Sequence, residues 1–166
     1  MTAGLSIKAR ALRYLAQREH SRAELERKLS AALARVHEPA AARLDDEDTP
    51  ALRLQQIRRA LDELAERGLL SDARAAESVL AAQGRRHGSR RLKQVLQAKG
   101  LAAELVEATL QQSKATEYAR AREVWLRRFG APADDAAGRA RQARFLAGRG
   151  FDGEVIRRLV KGLDAD

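Results

Sequence analysis

Three histidines, one acidic run, one glycine triplet and a surplus of arginine are the residues of this chain that could do chemistry. His20, His37 and His87 are far apart and lack the close spacing that metal ligands share, so no metal site is expected. His20 and His87 occupy equivalent turn positions, which points to a role in the turns. Asp45-Asp46-Glu47-Asp48 could attract a cation, but the run has neither the glycine turn nor the ligand rhythm of a calcium loop. Gly148-Arg149-Gly150-Phe151-Asp152-Gly153 fits the G-x-G-x-x-G pattern. A dinucleotide fingerprint needs a strand before it and a βαβ unit around it, and a helical pattern precedes this one, so no cofactor is expected. There is no P-loop, no Ser-His-acid grouping and no cysteine. Disulfides, zinc-thiolate sites and thiol catalysis are therefore excluded, and an enzyme is the least expected class.

The cations carry more information. The 166 residues hold 32 Lys+Arg against 23 Asp+Glu, for a net charge of +9. The excess is uneven: residues 1–50 carry +1, 51–100 carry +6 and 101–166 carry +2. Between Glu77 and Glu104 there is no acid, while Arg85, Arg86, Arg90, Arg91, Lys93 and Lys99 all fall there. Such a stretch attracts polyanions, and arginine's fork suits phosphate and carboxylate alike. Arg90, Arg91 and Lys93 open a helix, where free backbone amides are expected to add to the positive field. Arg127 and Arg128, then Arg139, Arg141, Arg144 and Arg149, form similar clusters further on, and Arg18 and Arg22 do so earlier. If these turns stack regularly, they form one basic strip.

The elements that must position these cations are helices. Ala and Leu dominate the apolar residues, prolines number three and β-branched residues are sparse. Ser21-Arg22-Ala23-Glu24 fits a capping box ahead of Leu25 and Leu29, a face continued by Ala32 and Val36. Residues 37 to 50, with Pro39, Pro50 and the acidic run, read as a loop. Thr49-Pro50 restarts a helix through Leu54, Ile57, Leu61 and Leu64, which Gly68 ends. Further apolar faces follow at Val79-Leu80, at Leu92-Val95-Leu96, at Leu101-Leu105-Val106-Leu110 and at Ala143-Phe145-Leu146. Val155, Ile156, Leu159, Val160 and Leu163 form the last stripe. Trp125 and Phe129 are four apart and share a helix face, so core packing is expected of them rather than stacking on bases.

The pattern repeats. Leu96-Gln97-Ala98-Lys99-Gly100-Leu101 matches Leu146-Ala147-Gly148-Arg149-Gly150-Phe151. At an offset of 67 residues, Arg18, His20, Ser21, Leu25 and Leu29 fall on Arg85, His87, Gly88, Leu92 and Leu96. In the Lys/Arg-Gly step, glycine can take the left-handed conformation that ends a helix while the cation meets the helix dipole, a structural role. The expected fold is all-α: three tandem three-helix repeats over 1–70, 71–113 and 114–166, stacked into an elongated, curved, solenoid-like array.

Ala11-Leu12-Arg13-Tyr14-Leu15-Ala16, followed by Arg18 and by Ser21-Arg22-x-Glu24-Leu25-x-x-Lys28-Leu29, resembles the opening signature of RecX regulatory proteins. Gly88-Ser89-Arg90-Arg91-Leu92 through Leu101 resembles that family's second repeat, and Phe145 through Leu159 its third. Residues 7 to 163 fall within the resemblance. Two features depart from the family pattern: the acidic loop replaces a short glycine turn, and Leu70-Ser71-Asp72 stands where an aromatic residue is usual. The resemblance implies a non-enzymatic regulator that lies along the RecA filament on single-stranded DNA. It implies inhibition of ATP hydrolysis, strand exchange and coprotease activity. A cytoplasmic monomer without membrane contact is expected, since no apolar run approaches the roughly 18 residues that span a bilayer. The alternatives are a stand-alone nucleic-acid-binding helical protein and a helical scaffold whose charge only aids solubility.

Overall fold

The computed structural model describes residues 5–36 and 49–161. His37, Pro39, the acidic run 45–48 and Leu163 lie outside the described residues. All regular structure among the described residues is helical: α1 Ile7–Leu15, α2 Arg22–Val36, α3 Pro50–Glu66, α4 Asp72–Gln83, α5 Ser89–Ala98, α6 Ala103–Lys114, α7 Glu117–Phe129, α8 Ala136–Gly148 and α9 Gly153–Lys161. The chain divides into two compact units, one up to Ala75 and one from Ala76.

Local chemistry sets the helix ends. Ser21 Oγ accepts the Glu24 amide at 3.1 Å, the first half of the predicted capping box. Thr49 Oγ1 accepts the Leu52 amide at 3.2 Å, with Pro50 in the first turn, where its missing N–H costs nothing. Three helices stop at the same device. Gly68, Gly100 and Gly150 take φ of 68°, 72° and 77°, and each amide turns back to the carbonyl three residues before it. The next residue, Leu69, Leu101 or Phe151, donates to the carbonyl of Leu64, Leu96 or Leu146. This is the Schellman closure; Leu101 and Phe151 after the glycine are buried, whereas Leu69 is exposed and the next residue, Leu70, enters the core.

In the first unit α1 packs on α2 and α3, and α2 on α3. Ala11, Leu25, Leu29, Ile57, Leu61, Leu64 and Leu70 make its core. The second unit holds two apolar clusters. Leu92, Leu96, Leu101, Val106 and Leu110 centre one, and Trp125, Leu146, Phe151, Ile156 and Leu159 the other. Each fully buried leucine contributes about 2 kcal/mol by leaving water. Trp125 is in the core as its spacing predicts, and its Nε1 donates to Gln142 Oε1 at 3.2 Å.

Candidate functional site

Repeat two carries the acid-free cation run. Arg85 and Arg86 lie in the turn after α4, and Arg90, Arg91 and Lys93 on the first turns of α5. All five are exposed. Among the described residues no carboxylate forms an ion pair with any of them. Arg91 reaches only Gln94 Oε1, at 3.4 Å.

The backbone beneath these cations differs from the sequence expectation. The amides that open α5 are not free. Gly88 N donates to Arg149 O at 3.0 Å, Ser89 N to Glu117 Oε1 at 3.0 Å and Arg90 N to Gly150 O at 3.0 Å. The positive field here comes mainly from side chains, because three of the four amides that open the helix already meet protein acceptors.

These bonds bring the Arg149-Gly150 turn of α8 against the start of α5. A Cβ at Gly150 would sit 2.4 Å from Arg91 N, and one at Gly88 would sit 2.2 Å from Phe151 Cα. Arg149 is therefore a neighbour of the repeat-two cations. Its guanidinium stacks 4.7 Å from the Phe145 ring, Phe145 meets Phe129 edge-on at 5.2 Å, and Arg128 lies 6.0 Å from Phe129. Burial pulls the His87 pKa down from its ordinary value, and Arg149, Arg91 and Arg86 push it the same way.

The other predicted cations have various partners. Arg127 pairs with Glu123 at 2.5 Å. Arg141 and Arg144 are exposed on α8, and Arg139 donates to the Ala133 and Asp134 carbonyls in the preceding loop. In the first unit Arg18 forks onto Glu24, and Arg22 pairs with Asp62 at 2.7 Å. Buried His20 lies 3.1 Å from Glu24 and edge-on to Tyr14. Burial lowers its pKa, Glu24 opposes the shift, and Arg18 and Lys28 reinforce it.

Sequence reasoning missed two residues. Glu117, the first residue of α7, is buried and holds Ser89 and Asp152. Arg120, one turn later, lines a cavity of about 470 Å³ with Leu80, Gly84, Arg85, Gln112, Ser113 and Thr116. Its N–H groups go to the Thr116 hydroxyl, the carbonyls of Gly84, His87 and Ser113 and the Ser113 hydroxyl. Burial lowers its pKa from the ordinary arginine value, and the Glu117 charge opposes that shift. The signal in the sequence was Gly88: where repeat one has Ser21 to cap its helix, repeat two has no side-chain oxygen, so another residue must supply one.

Residues 71–110 match the family model of the second three-helix domain of RecX, and residues 115–160 match that of the third. The fold is that of the crystal structure of RecX from Lactobacillus salivarius, with a TM-score of 0.71 over 96% of both chains at 19% identity. No helix among the described residues is long and apolar enough to cross a membrane. The protein is 43% identical to regulatory protein RecX of Leptothrix cholodnii over 96% of its own length and 90% of that relative. It is 42% identical to regulatory protein RecX of Ralstonia nicotianae over 97% of its length and 90% of that relative. With this identity sustained along nearly the whole sequence, the chain belongs to the RecX family of regulatory proteins.

Proposed function

We propose that the protein binds RecA filaments on single-stranded DNA and restrains their ATP hydrolysis, strand exchange and coprotease activity in DNA repair and the SOS response. The observation that carries this reading is the exposed run Arg85, Arg86, Arg90, Arg91 and Lys93, unpaired with any described acid, in a RecX family member. Arg127, Arg128, Arg141, Arg144 and Arg149 extend the proposed surface within the same unit. Arg18 and Arg22 of the first unit are further candidates of lesser effect, because Glu24 and Asp62 already hold them. The repeats 1–70, 71–113 and 114–166 are the units of the same reading. The protein acts as a monomer in the cytoplasm, and its leverage is binding energy: a ligand that favours one filament state over another shifts the balance between them.

The test is ATP hydrolysis by the cognate RecA on single-stranded DNA, titrated with this protein and with Arg90→Glu/Arg91→Glu. Inhibition at equimolar or lower ratios, weakened in the variant, is the expected result. No inhibition and no binding to the filament would overturn the reading. Salt-steep binding to bare DNA would then put a stand-alone nucleic-acid binder in its place.

A further inference from the structure

Glu117 is 3% exposed, and a carboxylate that far from water is costly unless donors surround it. Its donors come from two repeats. Oε1 accepts the Ser89 amide and the Asp152 amide, both at 3.0 Å, and Oε2 accepts the Ser89 hydroxyl. Ser89 opens α5, and Asp152 directly precedes α9. Arg120 completes the grip from the same helix. Its guanidinium holds the Gly84 and His87 carbonyls of the turn that carries Arg85 and Arg86.

The arrangement recurs in the first unit. Asp72, the first residue of α4, accepts the Arg22 amide at 2.8 Å, and Arg74 Nε donates to Glu19 Oε1 at 2.9 Å. Arg22 and Ser89 are the residues that open α2 and α5, and the 67-residue offset relates them. In both places the acid that opens the next three-helix set caps the second helix of the set before it. An arginine two or three residues later holds the preceding turn. A buried carboxylate seldom adds stability over a well-packed apolar residue, and its best-attested use is to fix register.

We infer that Glu117 is a positioning residue, which fixes repeats two and three in one register and so sets the placement of the α5 cations relative to those of α8. The functional consequence rests on the filament reading above; the register does not. Gly88 fits the same account, since any side chain there would displace the Phe151 backbone that the clasp holds in place.

The chain contains no cysteine, so two labels can be introduced without removing native thiols. Spin labels at Gln97→Cys and Ala147→Cys, exposed equivalent positions in α5 and α8, report the distance between the two repeats. The native background gives one narrow distribution. Glu117→Ala broadens it at temperatures where the chain keeps its helicity, and raises the concentration needed to inhibit RecA about tenfold. Glu117→Gln restores a narrow distribution, because its carbonyl oxygen still accepts both amides, and inhibits within about twofold of the parent. A residue that only added stability would lower the melting temperature without broadening the distance. If Glu117→Ala does not fold, Glu117→Asp carries the same test, for its shorter side chain cannot span both amides. A narrow, unshifted distribution in Glu117→Ala, or in Glu117→Asp if that variant is needed, would overturn the inference. If the parent protein fails to inhibit RecA, the filament reading falls while the distances still decide the register.

Discussion

Asp72 and Glu117 hold the same post at two places in the chain, one half-buried and one fully inside the protein. The Arg74–Glu19 pair that accompanies Asp72 has side chains 42% and 33% exposed, whereas Glu117 is 3% exposed. A partly exposed pair of that kind contributes about 0.5 kcal/mol. Around Glu117, loss of the carboxylate leaves two part-buried amides and a hydroxyl without their acceptor, at about 1 kcal/mol apiece. The difference follows from one residue. α2 has its own hydroxyl cap in Ser21, so Asp72 adds a second acceptor. α5 has Gly88 in that place, because Phe151 leaves no room for a Cβ, so Glu117 must supply the acceptor. Equivalent acids in a repeat protein can therefore differ severalfold in effect when their neighbours differ by one side chain.

The largest test of that contrast is at the glycines. Gly88→Ala drives a Cβ into the backbone of Gly150 and Phe151 and is expected to cost about 3 kcal/mol or more in urea unfolding. Gly68→Ala meets nothing within 4 Å and suffers only its φ of 68°, at about 1 kcal/mol. Next come the acids: Glu117→Ala is expected to lose about 3 kcal/mol and Asp72→Ala about 1 kcal/mol in the same assay. Equal losses would break the comparison. The arginines sharpen it further. Arg120→Met leaves the part-buried carbonyls of Gly84 and His87 without that donor and costs about 2 kcal/mol, while Arg74→Met costs under about 1 kcal/mol.

The smallest effect is in pH. The folded pKa values of His20 and His87 both lie below 6.5, so between those values and 6.5 the unfolded chain binds more protons. Stability is full above 6.5 and is lost as pH falls through the folded values. Unfolding followed from pH 8 to pH 5 should show this decline. His87→Gln should flatten part of it, because burial, reinforced by Arg149, Arg91 and Arg86, holds that histidine's pKa down.

Much of the fold was legible because its signals are local. Ser21 and Thr49 mark helix starts with a hydroxyl three residues ahead of the amide it accepts, and the Lys/Arg-Gly-apolar step marks helix ends. Trp125 and Leu146 followed from helical spacing. The clasp was not legible in the same way. Glu117 lies 28 residues from Ser89 and 35 from Asp152, and in sequence it looks like one more acid on an amphipathic helix. The occupied amides of α5 were hidden for the same reason: their acceptors, Arg149 O and Gly150 O, belong to a turn three helices further along. The cations themselves were plain in the sequence, since charge needs no partner to be read.

The central claim is that the cations of α5 meet a RecA filament. Binding of the fluorescently labelled protein to RecA–single-stranded DNA filaments, held with a non-hydrolysable ATP analogue, tests it most directly against bare single-stranded DNA at the same salt. The account predicts tighter binding to the filament than to bare DNA, and a loss of about tenfold or more for Arg90→Glu/Arg91→Glu. Equal filament binding by parent and variant, or a preference for bare DNA, would contradict it.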